Sequence, residues 1–81
     1  MKARVFVTYK AGILDPQGKA VRGGLGNLGY PEVSDVRQGK YFEIILEEKD
    51  PVHAKLRVEE MCKKLLANPV MEDFRIELES P

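Results

Sequence analysis

The chain has 81 residues, enough for one domain with a modest core. Thirteen Lys and Arg balance thirteen Asp and Glu, so no net charge draws it to nucleic acid or to an anionic membrane surface. A single cysteine excludes an internal disulfide and a cysteine-based metal site, no apolar run approaches the roughly 20 residues of a membrane helix, and the N-terminus opens on a strand pattern instead of a signal-peptide core, which together predict a cytoplasmic protein.

Residues 3–10 alternate, with Ala3, Val5, Val7 and Tyr9 on one face and Arg4, Phe6, Thr8 and Lys10 on the other. This period of two predicts a strand with one buried face. Asp15-Pro16 predicts a helix start, because Asp accepts from the free N–H groups of a first turn and Pro suits the first helical position. Val21, Leu25 and Leu28 form that helix's apolar stripe, while Gly23, Gly24 and Gly26 each weaken it by up to about 1 kcal/mol against Ala. Gly29 and Pro31 end it.

Val33 to Gln38 is short and polar and is expected as an edge strand. Gly39-Lys40 turns the chain into the strongest strand pattern, Tyr41 to Glu48. There Phe42, Ile44 and Leu46 share one face, and Tyr41, Glu43, Ile45 and Glu47 the other. Asp50-Pro51 repeats the helix start and predicts a helix over 51–67. Ala54, Val58, Met61, Cys62 and Leu65 face inward, and Lys63-Lys64 lie near the negative end of its dipole. After Asn68-Pro69 a last strand runs from Val70 to Glu79, with Phe74, Ile76 and Leu78 alternating against Arg75, Glu77 and Glu79.

The order β-α-β-β-α-β, with right-handed crossovers, predicts an α+β ferredoxin-like sandwich. Its sheet would be four-stranded and antiparallel in the order 4-1-3-2, with both helices on one face.

Most of the chemistry-bearing residues read as structural. Gly24-Leu25-Gly26-Asn27-Leu28-Gly29 matches the GxGxxG dinucleotide pattern, but that pattern works only where it joins a strand to the N-terminus of a helix. Here it follows a helix start and runs into Tyr30-Pro31, so no cofactor is expected on this chain. Cys62 lies on an apolar stripe and reads as an inert thiol. His53, the only histidine, sits in a helix first turn without a placed acid or thiol. Glu47-Glu48 and Glu59-Glu60 are neighbours in sequence whose side chains point apart. No catalytic residue, cofactor-binding residue or metal ligand is assigned.

The open face of the sheet is more informative. Phe6, Tyr41 and Ile45 are expected there on the two central strands, ringed by Arg4, Thr8, Glu43, Arg75 and Glu77. Aromatic and aliphatic groups inside a mixed-charge rim fit a protein interface. RNA-recognition domains share the predicted fold and stack bases on central-strand aromatics. Gly39-Lys40-Tyr41-Phe42 echoes their motif only faintly, and the neutral charge removes their electrostatic footprint. An amino-acid-binding regulatory domain of the same fold is a further alternative, though no ligand pocket is marked.

Several blocks together resemble one family. They are Ile13-Leu14-Asp15-Pro16-Gln17-Gly18-Lys19-Ala20-Val21, Leu28-Gly29-Tyr30, Val33-Ser34-Asp35-Val36-Arg37-Gln38-Gly39-Lys40-Tyr41, Met61-Cys62-Lys63-Lys64-Leu65-Leu66-Ala67-Asn68-Pro69-Val70 and Glu72-Asp73-Phe74. The chain resembles PurS, the small subunit of bacterial and archaeal phosphoribosylformylglycinamidine (FGAM) synthase, as a single domain over 1–81. The resemblance implies a non-catalytic homodimeric subunit of a purine-biosynthesis complex. On that implication it bridges a glutaminase subunit, which releases ammonia, and a large synthetase subunit, which uses ATP and Mg²⁺. It also implies that Lys19, Arg22, Arg37, Lys40 and Tyr41 are available to contact the large subunit. The run Arg22-Gly23-Gly24-Leu25-Gly26 departs from the better helix formers usual in the family.

Overall fold

The computed structural model describes residues 1–79. Three strands, β1 (Lys2–Tyr9), β2 (Lys40–Ile45) and β3 (Glu72–Glu79), form one antiparallel sheet in the order β2-β1-β3. Two α-helices connect them, α1 (Pro16–Asn27) and α2 (Pro51–Met61), and α2 continues into a π-helical turn, Cys62–Leu66. The alternation in β1 does what its period predicts. Ala3, Val5 and Val7 are fully buried, and Val5 stands between Phe42 of β2 and Ile76 of β3.

The expected four-stranded sheet is corrected to three strands. Val33 to Gln38 forms no ladder because its polar groups have other partners. The Gln38 N–H donates to the Asp15 carboxylate at 2.7 Å, and the Val36 N–H to its neighbour Asp35. The Val33 N–H closes a turn onto the Tyr30 carbonyl. The outer edge of β2 therefore has no fourth strand.

The placement of both helices on one face is corrected as well. Only α2 covers the sheet, through Val58 and Cys62 against Ala3, Val5 and Val7. Helix α1 has at most marginal contact with any other element, and Gly18 is its one buried residue. The molecule is accordingly long, 48 × 27 × 15 Å, with a radius of gyration of 16.0 Å. A compact chain of this length would have about 12 Å.

Both Asp-Pro pairs cap their helices, with Pro at the first helical position. Asp50 accepts from the Val52 N–H at 3.0 Å, and Asp15 from the Gly18 N–H at 2.9 Å. Helix α1 ends at Gly29, whose φ of +101° suits glycine. The Tyr30 N–H returns to the Leu25 carbonyl and the Gly29 N–H to that of Gly26, the paired bonds of a Schellman ending.

The second helix departs from its expected face near its end. In the π-turn the Ala67 N–H reaches back five residues to the Cys62 carbonyl. The inserted residue rotates Leu65 into solvent, 84% exposed, and turns Leu66 and Ala67 toward the core.

The core is small. Its largest fully buried side chains are Val5, Val7, Val58 and Cys62, while Phe42, Ile44, Leu46, Phe74, Ile76 and Leu78 are only half-covered.

Candidate functional site

The outer face of the sheet is set by register. Phe6 faces Tyr41 on β2 and Arg75 on β3. The two rings tilt together with centroids 5.1 Å apart, and the Arg75 guanidinium lies 4.2 Å from the Phe6 centroid, a cation–π contact. Tyr41 remains 49% exposed.

Ile45 stands apart from this pair. It lies opposite Lys2, four residues along β2 from Tyr41, and Glu43 opposite Arg4 intervenes. Four residues of strand span about 13 Å. Phe6 and Tyr41 thus form one aromatic island, and Ile45 is a separate exposed side chain.

Ion pairs fill the rest of this face: Lys2 with Glu43, Arg4 with Glu79, and Arg75 with Glu77. The hydrogen bond between Lys2 and Glu43 is the main cause that raises the amine's pKa and lowers the carboxyl's, so each partner favours the other's charged form. This charged lattice is a specific surface, with polar groups that a partner must match.

The second distinctive region lies where the chain enters β2, three residues before Tyr41. Asp15, 5% exposed, takes the Gly18 N–H on Oδ1 and the Gln38 N–H on Oδ2. These two donors, Gly18 first, hold its carboxyl below the ordinary carboxylate range. One side chain therefore clasps the α1 N-terminus to the segment leading into β2. Gly18 is required there, because a Cβ would sit 2.1 Å from the Val36 carbonyl oxygen. Gly39 meets the same constraint against the Val7 carbonyl, at 2.4 Å.

Lys19, Arg22 and Arg37 gather on this clasp around a cavity of about 210 Å³ whose lining includes Ile13, Leu14 and Val36. Lys40 is drawn elsewhere, to Glu72. Sequence reasoning gave Asp15 a capping role and missed its second oxygen and the part played by Gly18. The available signal was a glycine three residues into a helix, where a helix former would serve better.

The remaining chemistry-bearing groups are buried or paired. Cys62 is fully buried, and loss of water around it pushes its thiol pKa up, which makes it a poor nucleophile. His53 Nδ1 pairs with Glu48 at the α2 N-terminus, and this contact is the main cause that lowers the Glu48 carboxyl pKa. Glu59 and Glu60 separate, Glu60 pairing with Arg57. Gly24 and Gly26 lie inside α1 and Gly29 follows it, so the GxGxxG letters end a helix where a phosphate cradle would begin one. A concavity of about 500 Å³ forms an open trough between α2 and β3, lined by Val52, Leu56 and Leu78 with Lys55 and Glu59. Among the described residues no helix is long and apolar enough to cross a membrane.

Comparison with known proteins adds a consistent set of relatives. The family model for PurS, phosphoribosylformylglycinamidine (FGAM) synthase, matches residues 2–80. The FGAM synthase subunit PurS of Bacillus subtilis is 50% identical over 78 residues, 96% of this chain and 92% of that protein. The crystal structure of Methanocaldococcus jannaschii PurS superposes with a TM-score of 0.88 at 42% identity, covering 99% of this chain and 96% of that one. It is described as one of the subunits of formylglycinamide ribonucleotide amidotransferase in the purine biosynthetic pathway. A chain in the structure of PurLQS from Thermotoga maritima superposes at 0.84 with 28% identity, covering 94% and 93% of the two chains.

Proposed function

The chain belongs to the PurS family and is a subunit of the FGAM synthase of purine biosynthesis, and from that premise we propose that its own part in the complex is structural. On this reading it acts in the cytoplasm as a homodimer that holds the large synthetase subunit and the glutaminase subunit together and helps ammonia pass between them. ATP and Mg²⁺ belong to the large subunit, and this chain binds neither. Ammonia released into bulk water would be protonated and lost as a nucleophile, so a subunit that keeps two active sites sealed together serves the reaction without touching the reacting atoms.

The observation that carries this reading is the uncovered state of the molecule. A twelve-residue helix with three exposed glycines is marginal in water alone. Here α1 is held to the segment before β2 at its clasp but makes at most marginal contact with the sheet and α2, and no fully buried side chain among the described residues is larger than valine. Such a chain gains stability by burying surface against other chains. The placement of Cys62 and His53 points the same way, since one is sealed in the core and the other engaged by Glu48.

The test is made in the reconstituted three-subunit complex. Cys62→Ala and His53→Gln are expected to retain glutamine-dependent synthesis within about twofold, a change worth only about 0.4 kcal/mol in barrier. A loss of a hundredfold or more with an intact assembly would place catalysis on this chain.

A further inference from the structure

Residues 10–39, which join β1 to β2, form an arm that stands off the sheet. Set end to end, β1 spans about 26 Å and α1 about 18 Å, most of the molecule's 48 Å length. The arm is braced within itself. Asp15 takes the Gln38 N–H, Gly18 lies against the Val36 carbonyl, and Arg22 Nε donates to the Val33 carbonyl at 3.4 Å. Arg37 Nη1 donates to the Ile13 carbonyl at 2.8 Å, and at the root Gly39 is wedged against the Val7 carbonyl of β1. Lys19, Arg22, Gly23 and Gly26 of α1 face the returning segment. At about 100° per residue, Val21, Leu25 and Leu28 fall on the opposite side, away from it. The bracing thus presents the apolar stripe outward and holds it off its own sheet, with at most marginal contact to any other element.

The inner face of the sheet has room for a helix on the β2 side. Helix α2 lies toward β3 and has at most marginal contact with β2, so Phe42, Ile44 and Leu46 are only half covered. The stripe from Val21 to Leu28 is about 10 Å long and the row from Phe42 to Leu46 about 13 Å, so the two match in length. The exposed area agrees. The chain exposes 5937 Å², whereas a compact monomer of its mass, 9.2 kDa, exposes about 4,900 Å². The excess, about 1,000 Å², is enough for the roughly 800 Å² that each partner buries in a standard interface.

Both halves of such a contact, the helix stripe and the open sheet flank, belong to one sequence. Two copies related by a two-fold axis satisfy both at once, while a different partner covering one would leave the other bare. Charge does not oppose the pairing. Helix α1 carries Lys19 and Arg22 and no acid, while outside the arm Glu47, Asp50, Glu59 and Asp73 have no ion-pair partner among the described residues.

We propose that two copies pair by exchanging arms: α1 of each lies on the inner face of the other's sheet, beside its α2, with Val21, Leu25 and Leu28 against Phe42, Ile44 and Leu46. This rests on the homodimer argued above and names its interface. The Phe6–Tyr41 pair, on the other side of the sheet, takes no part in it.

Val21→Asp/Leu28→Asp in the full-length chain tests it by sedimentation over a range of concentrations, with Tyr41→Asp as the control on the opposite face. The arm variant is expected to raise the dimer dissociation constant at least about tenfold, because burying one leucine is already worth about that factor. Tyr41→Asp should leave it unchanged. Isotope-filtered NMR on dimers mixed from labelled and unlabelled chains reads the contact in the unaltered protein. Cross-peaks are expected between the α1 leucine methyls of one copy and the Phe42 ring of the other.

A dimer that the arm variant does not weaken overturns the exchange and leaves the homodimer standing. So does the lack of any cross-peak between α1 and Phe42 across copies, or a dimer lost in Tyr41→Asp. An unaltered chain that sediments as a monomer at micromolar concentration removes the homodimer itself, and the exchange with it.

Discussion

Asp15 and Asp50 precede the two helices in the same way, yet their carboxylates carry different loads. Asp50 caps one amide at an exposed turn, while Asp15 is buried and holds two amides 20 residues apart. The Asp15 carboxyl is held below its ordinary value of 3.8, first by the Gly18 N–H and then by the Gln38 N–H. A group with a depressed native pKa stabilises the fold fully above its unfolded value and loses that contribution as pH falls through the lower native one. The clasp is therefore expected to be intact at neutral pH and to open only as the solution becomes more acid than the ordinary carboxylate range. Glu43 and Glu48 titrate in the same sense, so the specific readout is hydrogen exchange at the Gly18 and Gln38 amides. Amides whose protection does not fall when the Asp15 carboxyl is protonated would contradict the clasp. Gly18→Ala should break it at any pH, because the Val36 carbonyl is backbone and must move, at a cost of about 1–3 kcal/mol. A wild-type melting temperature for Gly18→Ala would remove the close approach from the account.

Helix α1 answers differently to the same substitution further along. Gly23, Gly24 and Gly26 have open space where a Cβ would go and no left-handed φ. Each change to Ala should stabilise the free chain by about 0.5–1 kcal/mol and raise its far-ultraviolet helicity. Unchanged or lower helicity would mean that α1 is not the helix described. The elements that were legible in the sequence are those governed by nearby residues. The Asp-Pro caps, the Gly29 ending and the alternation of β1, β2 and β3 each depend on a few neighbours. The missing strand was illegible because Gln38 is satisfied by Asp15, 23 positions away, and no local pattern records that bond. The π-turn was hidden for a related reason. One inserted residue replaces Leu65, which the helical period places inward, by Leu66 at the core. The stripe of Val21, Leu25 and Leu28 signalled an apolar face, but a stripe says nothing about whether its cover comes from the same chain.

At the scale of the whole molecule, an elongated protomer with an uncovered helix and a half-clad sheet describes a part of an assembly. The homodimer expected here should sediment at twice the protomer mass at micromolar concentration, and a monomer under those conditions would count against it. Of the three sheet residues offered as an interface, Phe6 and Tyr41 act as one unit and Ile45 as another. If that face mediates self-association, Tyr41→Asp should weaken it with little change in secondary structure, since half of the ring is already in solvent. Unaltered association would remove the aromatic pair from the interface.

The central claim, that this chain joins two catalytic subunits without performing chemistry, is tested most directly by omission. The large synthetase and glutaminase subunits are assayed for FGAM synthesis with and without this chain, once with glutamine and once with a high concentration of ammonium salt as the nitrogen source. The account predicts that omission abolishes glutamine-dependent synthesis and leaves ammonium-dependent synthesis standing. Full glutamine-dependent activity without the chain, or loss of ammonium-dependent synthesis with the large subunit folded, would contradict it.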